Sequence, residues 1–252
     1  MADFDGAGVL VTGGSRGIGR ATCELFAARG ARVVVHYASN ETAAREVVDG
    51  LAGEGHACVR ADLGARGARG LAEAAVGALG RVDVLVNNAG VYEPHPVLGT
   101  SADEWAASWS RTLATNLIGP ADLIHAVAPH MVEAGGGRLV NVTSRGAFRG
   151  EPDHAAYGAS KAALNSLSQS MAKALAPHHV YVTAVAPGFV ETDMASPYLE
   201  GPTGREITAQ SPMDRAATPE EIARVIVFLA TPGAESTTGA IVDVNGASYL
   251  RN

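Results

Sequence analysis

A tyrosine and a lysine stand four residues apart in HAAYGASKAA, residues 154–163. On a helix, Tyr157 and Lys161 share one face. Both are slow proton carriers in water, with pKa values near ~10 and ~10.4. A cation beside a phenol favours the tyrosinate and lowers its pKa. The spacing therefore suits a general acid for reducing a carbonyl, or a base for oxidising an alcohol, near neutral pH. The flanking alanines, glycine and serine leave that face open to close approach.

The elements that would hold this pair alternate along the chain. Val-rich runs such as GVLVTGG, ARVVVHY, ACVRADL, VDVLVNNAG, GRLVNVTS, VYVTAVAPG and GAIVDVNG read as seven strands. Amphipathic stretches separate them, among them RATCELFAARG, NETAAREVVDGLAGEG and AAYGASKAALNSLSQSMAKALAP. Residues 101–137 hold two helical stretches, and TPEEIARVIVFLAT starts with Thr218 as cap and Pro219 at its first position. Near-continuous apolar strands between helices imply a parallel sheet covered on both faces. The fold class is thus α/β, a doubly wound Rossmann-type sheet in a single domain over 1–252, with ligands expected at the carboxyl ends of the strands. Residues 190–215, rich in Pro, Gly and polar side chains, break the rhythm and read as a substrate lid.

TGGSRGIG, residues 12–19, follows the first strand and opens a helix. Glycines at such a turn let backbone N–H groups approach a pyrophosphate, and the helix N-terminus favours the anion. With NNAG at 87–90, TSRGAFRGEPDHAAYGASK at 143–161 and PGFVETDM at 187–194, the set resembles the motifs of the short-chain dehydrogenases/reductases, in order and over nearly the whole chain. The nearest-looking subgroup is the 3-oxoacyl-[acyl-carrier-protein] reductases.

The resemblance implies a nicotinamide cofactor and carbonyl–alcohol chemistry by direct hydride transfer. Gly13, Ser15, Arg16, Gly17, Ile18 and Gly19 would cradle the pyrophosphate. The tip of the second strand, VVVHYASN, carries no acid before Glu41. A carboxylate there would bind a ribose 2′-hydroxyl and repel a 2′-phosphate. Its absence, with the phosphate-matching fork of Arg16, points to NADP(H). Tyr37, Ser39 and Asn40 are additional donors, and His36 reads as a histidine that ends its strand. By resemblance Asp62 and Leu63 reach the adenine, and Asn88, Ala89 and Gly90 touch the adenosine ribose. Asn87 ties neighbouring strands. Pro187, Gly188, Val190 and Thr192 fix the nicotinamide, and Lys161 holds its ribose.

Ser144 stands thirteen residues before Tyr157, the spacing of the family. Its hydroxyl would donate to the carbonyl oxygen as charge develops there. Asn116, in TNLIGP, resembles the asparagine that bonds backbone and holds a water linking the lysine to solvent. The catalytic set is therefore Asn116, Ser144, Tyr157 and Lys161, with no metal.

The 252 residues carry a formal net charge of −7, which disfavours nucleic acid. No secretion signal or membrane-length apolar run is found, and Cys23 and Cys58 read as reduced thiols, so a cytoplasmic protein is expected. The carrier-protein reductases dock their acidic partner on basic residues. Gly135 and His178 stand at those two places here, so a small free carbonyl or alcohol is an expected substrate on an equal footing. A non-catalytic dinucleotide sensor would be expected to have lost Ser144, Tyr157 or Lys161. The resemblance also implies a homotetramer or homodimer.

Overall fold

In the computed structural model, which describes residues 3–251, seven parallel strands form one sheet in the order β3-β2-β1-β4-β5-β6-β7. They are β1 (Gly8–Val11), β2 (Arg32–Tyr37), β3 (Ala57–Arg60), β4 (Val84–Asn87), β5 (Gly137–Val142), β6 (Val180–Pro187) and β7 (Ile241–Val244). The order reverses between β1 and β4, and such a reversal opens a crevice at the strand carboxyl ends.

Side chains alternate across the sheet with period two. Val9, Val11, Val33 and Val35 face one helix layer and pack with Phe26, Ile222 and Ile226. That layer holds α1 (Gly17–Ala27), α2 (Glu41–Gly50) and α10 (Pro219–Ala230). Leu10, Val34, Leu85 and Leu139 face the other way, against Leu71, Leu123 and Met131. That second layer is α3 (Ala68–Leu79), α4 (Ala102–Leu113), α5 (Gly119–Glu133) and α7 (Ala155–Leu175). Both faces being covered explains why the strands read as apolar runs rather than alternating ones.

Caps fall where the sequence puts them. Asn40 accepts from the Ala43 N–H at 3.0 Å at the start of α2. Thr218 and Glu221 form a reciprocal capping box at the start of α10, with Pro219 at the first helical position. Residues 101–137 differ from expectation. The two helical stretches are one continuous rod, because a π-turn (Ala114–Ile118) joins α4 directly to α5. The short helices α6 (Gly146–Arg149), α8 (Ser196–Leu199) and α9 (Gly204–Thr208) lie in loops over the strand carboxyl ends. No helix of the described residues is long and apolar enough to cross a membrane.

Candidate active site

A cleft of about 460 Å³ opens over the carboxyl ends of β1, β2, β4, β5 and β6. Its floor is built by hydrogen bonds from strand ends. The Thr12 hydroxyl accepts from the Asn88 and Ala89 N–H groups, at 2.9 and 3.0 Å, and donates to the Val86 carbonyl. The Asn88 amide donates to the Thr12 and Gly13 carbonyls. Asn87 donates to Asn141 at 2.8 Å, which ties β4 to β5 as expected. In the glycine turn, a methyl on Gly19 would stand 2.1 Å from the Gly13 carbonyl oxygen. Only glycine lets the start of α1 close on the turn. No side chain caps that helix, so its first N–H groups face the cleft.

His36 does more than end a strand. Its Nδ1 accepts from the Gly13 N–H at 3.1 Å, and its Nε2 lies 3.1 Å from the Ala61 carbonyl. This ring, 2% exposed, must stay neutral to serve both bonds, and burial pushes its pKa down. The histidine buttresses the glycine turn.

The catalytic candidates converge at the other end of the cleft. Ser144 follows β5 and Tyr157 and Lys161 lie on α7; all three line the cleft. The Lys161 ammonium donates to the Val142 carbonyl at 2.9 Å and sits 5.6 Å from the Tyr157 ring centre. Asn116, fully buried in the π-turn, clasps Val91. Its Oδ1 accepts the Val91 N–H at 2.8 Å, and its Nδ2 donates to the Val91 carbonyl at 3.0 Å and to Ser160 Oγ at 3.2 Å. Ser160 in turn donates to the Tyr157 carbonyl. Gly90 lies between Asn116 and Lys161, where an added methyl would stand 3.3 Å from Asn116 Oδ1 and 3.5 Å from Lys161 Nζ. Single-turn π segments cluster at functional sites, and this one turns Asn116 inward.

The electrostatics depart from expectation. Burial pushes the Tyr157 phenol up to about 12, against a lowering by the nearby Ser144 hydroxyl. Burial also brings Lys161 down to about 8. The Lys161 ammonium lies over the phenol ring and donates to the Val142 carbonyl. Desolvation is the largest influence on each of the two groups.

Among the other expected residues, Gly13, Ser15, Arg16, Gly17, Ile18, Tyr37, Ser39, Asn40, Asn88, Ala89, Gly90, Pro187, Gly188, Val190 and Thr192 border the same cleft. Gly19, Asp62, Leu63 and Asn116 do not border it. Asp62 caps the turn that follows β3, accepting from the Gly64 and Ala65 N–H groups, and Leu63 is buried in the α3–α5 layer. Glu41 is held by Arg45 at 2.6 Å, and Arg16 lies 3.6 Å from Asp193.

Three features were missed in the sequence. His95 Nε2 accepts from the Ala156 N–H at 3.0 Å and so caps α7 from 61 residues away. Tyr92 stacks flat on His154 at 3.7 Å and meets Tyr157 edge-on at 4.7 Å, while His154 Nε2 lies 2.9 Å from the Tyr198 hydroxyl. Arg145, Phe189, Met194 and Tyr198 complete the wall beyond Ser144. Met194 and Tyr198 fall in the segment read as a lid, whereas the contacts of His95, Tyr92 and Arg145 join segments distant in sequence and carry no spacing signal.

The family model for enoyl-(acyl carrier protein) reductase matches residues 13–247, from the glycine turn to just past β7. The 3-oxoacyl-[acyl-carrier-protein] reductase of Vibrio cholerae is 36% identical over 248 residues, covering 98% of this chain and 99% of that one. The chain belongs to the short-chain dehydrogenase/reductase family. Two solved members share the fold. A short-chain dehydrogenase from Burkholderia cenocepacia, in complex with NADP, superposes with a TM-score of 0.87 at 29% identity, covering 97% of this chain and 98% of its own. A glucose/ribitol dehydrogenase-type member from Brucella melitensis gives 0.89 at 32%, with 99% of each chain covered. The chain is an oxidoreductase of this short-chain family, and its cleft lies at the strand-order reversal where open α/β sheets bind ligands.

Proposed function

We propose that this chain interconverts a carbonyl and a secondary alcohol with NADP(H), by direct hydride transfer. The observation that carries the reading is the meeting of Ser144, Tyr157 and Lys161 in one cleft with the uncapped start of α1 at its far end. The cleft fits such a cofactor. A methyl on Gly19 would close the turn, no acid ends β2, and Arg16 stands in the glycine turn. The relative from Burkholderia cenocepacia, described in complex with NADP, supports the same cofactor.

When bound, NADPH supplies the hydride that reaches the carbonyl carbon. Tyr157, its pKa pushed up to about 12 and so neutral at pH 7, gives a proton to the carbonyl oxygen, and the product is an alcohol. Ser144 donates a hydrogen bond to that oxygen. Such positioned donors contribute about 3 kcal/mol in the transition state. Lys161 holds the nicotinamide ribose. Asn116 is a positioning residue, since its side chain is committed to Val91 and Ser160. Arg16, Tyr37, Ser39 and Asn40 take the 2′-phosphate end.

The 252 residues form one domain in this reading, residues 190–215 close over the substrate, and the assembly is a homotetramer or homodimer. A second reading, reduction of a 3-oxoacyl group on a carrier protein, is favoured by the Vibrio cholerae relative. Gly135 and His178 in place of basic residues weigh against it.

Tyr157→Phe tests the proposal. Turnover of a ketone panel should fall by roughly 10²- to 10⁴-fold, while NADPH affinity, read by fluorescence, stays nearly constant. A variant that kept most of its activity would remove Tyr157 as proton donor. Equal affinity for NADH and NADPH would overturn the cofactor assignment, and NADPH binding without turnover of any ketone would favour a sensor.

A further inference from the structure

Arg145 follows Ser144 directly and lines the same cleft, yet it is only 3% exposed. Its backbone N–H donates to the Pro187 carbonyl at 2.9 Å, which pins the residue between the ends of β5 and β6. A guanidinium carries five N–H donors. One of them, on Nη2, reaches Gln210 Oε1 at 2.7 Å. Nε and Nη1 have no acceptor among the described residues, and the group forms no salt bridge there. The Phe189 ring lies beneath it, 5.0 Å from the guanidinium carbon.

The charge nearby does not balance this cation. Arg149 donates to the same Gln210 oxygen at 2.7 Å, so two guanidinium groups converge on one neutral amide. Glu151 is the one carboxylate whose charge acts on Arg145, so two cations face a single anion here. Burial and Arg149 press against the charge on Arg145, while Glu151 supports it without forming a salt bridge. A guanidinium drawn this far from water without a salt bridge is unfavourable, and an apolar side chain of similar volume would hold this place at least as well. An arginine here is explained when an anion joins it on binding. Ser144 and Arg145 border the same cleft, so one small molecule can meet both.

We propose that Arg145 is a specificity-determining residue that binds a carboxylate on the substrate, so that the chain acts on keto acids and the matching hydroxy acids. This rests on the carbonyl–alcohol reading given above. The planar fork suits a carboxylate, and its free donors supply charge-assisted hydrogen bonds. Tyr92, Met194 and Tyr198 offer an apolar wall for the remaining carbon skeleton.

The test compares keto acids with their methyl esters, using the full chain and NADPH. The kcat/KM of the acid should exceed that of the ester about tenfold or more. Arg145→Gln should collapse this ratio toward one, and Arg145→Lys should restore part of it. The saturated carboxylic acid of the same skeleton should compete with the keto acid in the wild type and lose that inhibition in Arg145→Gln. Esters reduced as well as acids by the wild type would overturn the assignment, as would a variant that loses both substrates equally. If Arg145→Gln does not fold, the wild-type ratio and the inhibition by the saturated acid decide. No turnover of any ketone, acidic or neutral, with either nicotinamide would overturn the carbonyl–alcohol reading itself. Turnover of neutral ketones without preference for acids would overturn the Arg145 assignment alone.

Discussion

Asn116→Ala separates positioning from chemistry in a single substitution. The side chain is fully buried and makes three hydrogen bonds, two to the backbone of Val91 and one to Ser160. Alanine leaves the Val91 N–H and C=O without those partners. Each orphaned group costs about 1–3 kcal/mol, and Val91 is half-buried, which places each near the lower end. Ser160 keeps its bond to the Tyr157 carbonyl and adds little. The loss should total about 2–3 kcal/mol. At about 2–4 °C per kcal/mol for a chain of this size, Tm should fall by roughly 4–12 °C. Thermal unfolding followed by circular dichroism reads this directly. Released from its clasp, the segment after Gly90 and the Tyr157 turn should shift, so kcat should fall more than NADPH affinity does. An unchanged Tm, or losses in kcat and NADPH affinity by the same factor, would refute the reasoning.

Gly19→Ala would put a methyl 2.1 Å from the Gly13 carbonyl oxygen and 2.6 Å from Asn88 Nδ2. Backbone must move, so stability should fall by about 1–3 kcal/mol or more and NADPH affinity should drop; a variant with wild-type Tm and affinity would show that the turn is looser than its contacts imply. Acid sensitivity should begin at the buried histidines. His36 lies below its usual 6.5, and His154 is lowered to about 4 by burial. Both bind protons more readily unfolded, so the stability they confer is complete above about pH 6.5 and declines as pH falls toward 4. Glu151, raised by burial, has the opposite sign, being favoured in the fold as pH falls. His36→Asn should therefore flatten the stability difference between pH 7 and pH 5 in denaturant titrations, and curves parallel to the wild type would refute the histidine contribution.

What was legible in the sequence is what local pattern encodes. Val-rich runs between amphipathic stretches become seven parallel strands because both sheet faces are buried, and Thr218-Pro219 caps α10 through contacts three residues apart. The spacing of Tyr157 and Lys161 is likewise local to α7. The rest depends on distant segments. His95 reaches Ala156, His154 reaches Tyr198, and Gln210 reaches back to Arg145, across 61, 44 and 65 residues. No periodicity links such pairs, because their meeting is decided by how loops cross the strand ends. The π-turn was hidden for another reason. One extra residue in a helix leaves the amphipathic pattern almost unchanged, yet it rotates Asn116 into full burial.

The same distinction bears on the Tyr157–Lys161 pair. Spacing alone argues for a lysine that lowers a phenol. Burial, which spacing does not reveal, acts on both groups and drives each toward its neutral form. The groups that influence the phenol are Ser144, whose hydroxyl lowers its pKa, and Glu151, whose charge raises it. Lys161 instead donates to Val142 and lies against the ring face. On the proposed reaction, a phenol held neutral by burial is already the proton donor that carbonyl reduction needs. Alcohol oxidation would need a positive charge brought close to the hydroxyl. The protein thus sets the acid form by desolvation, and leaves the base form to whatever charge enters the cleft.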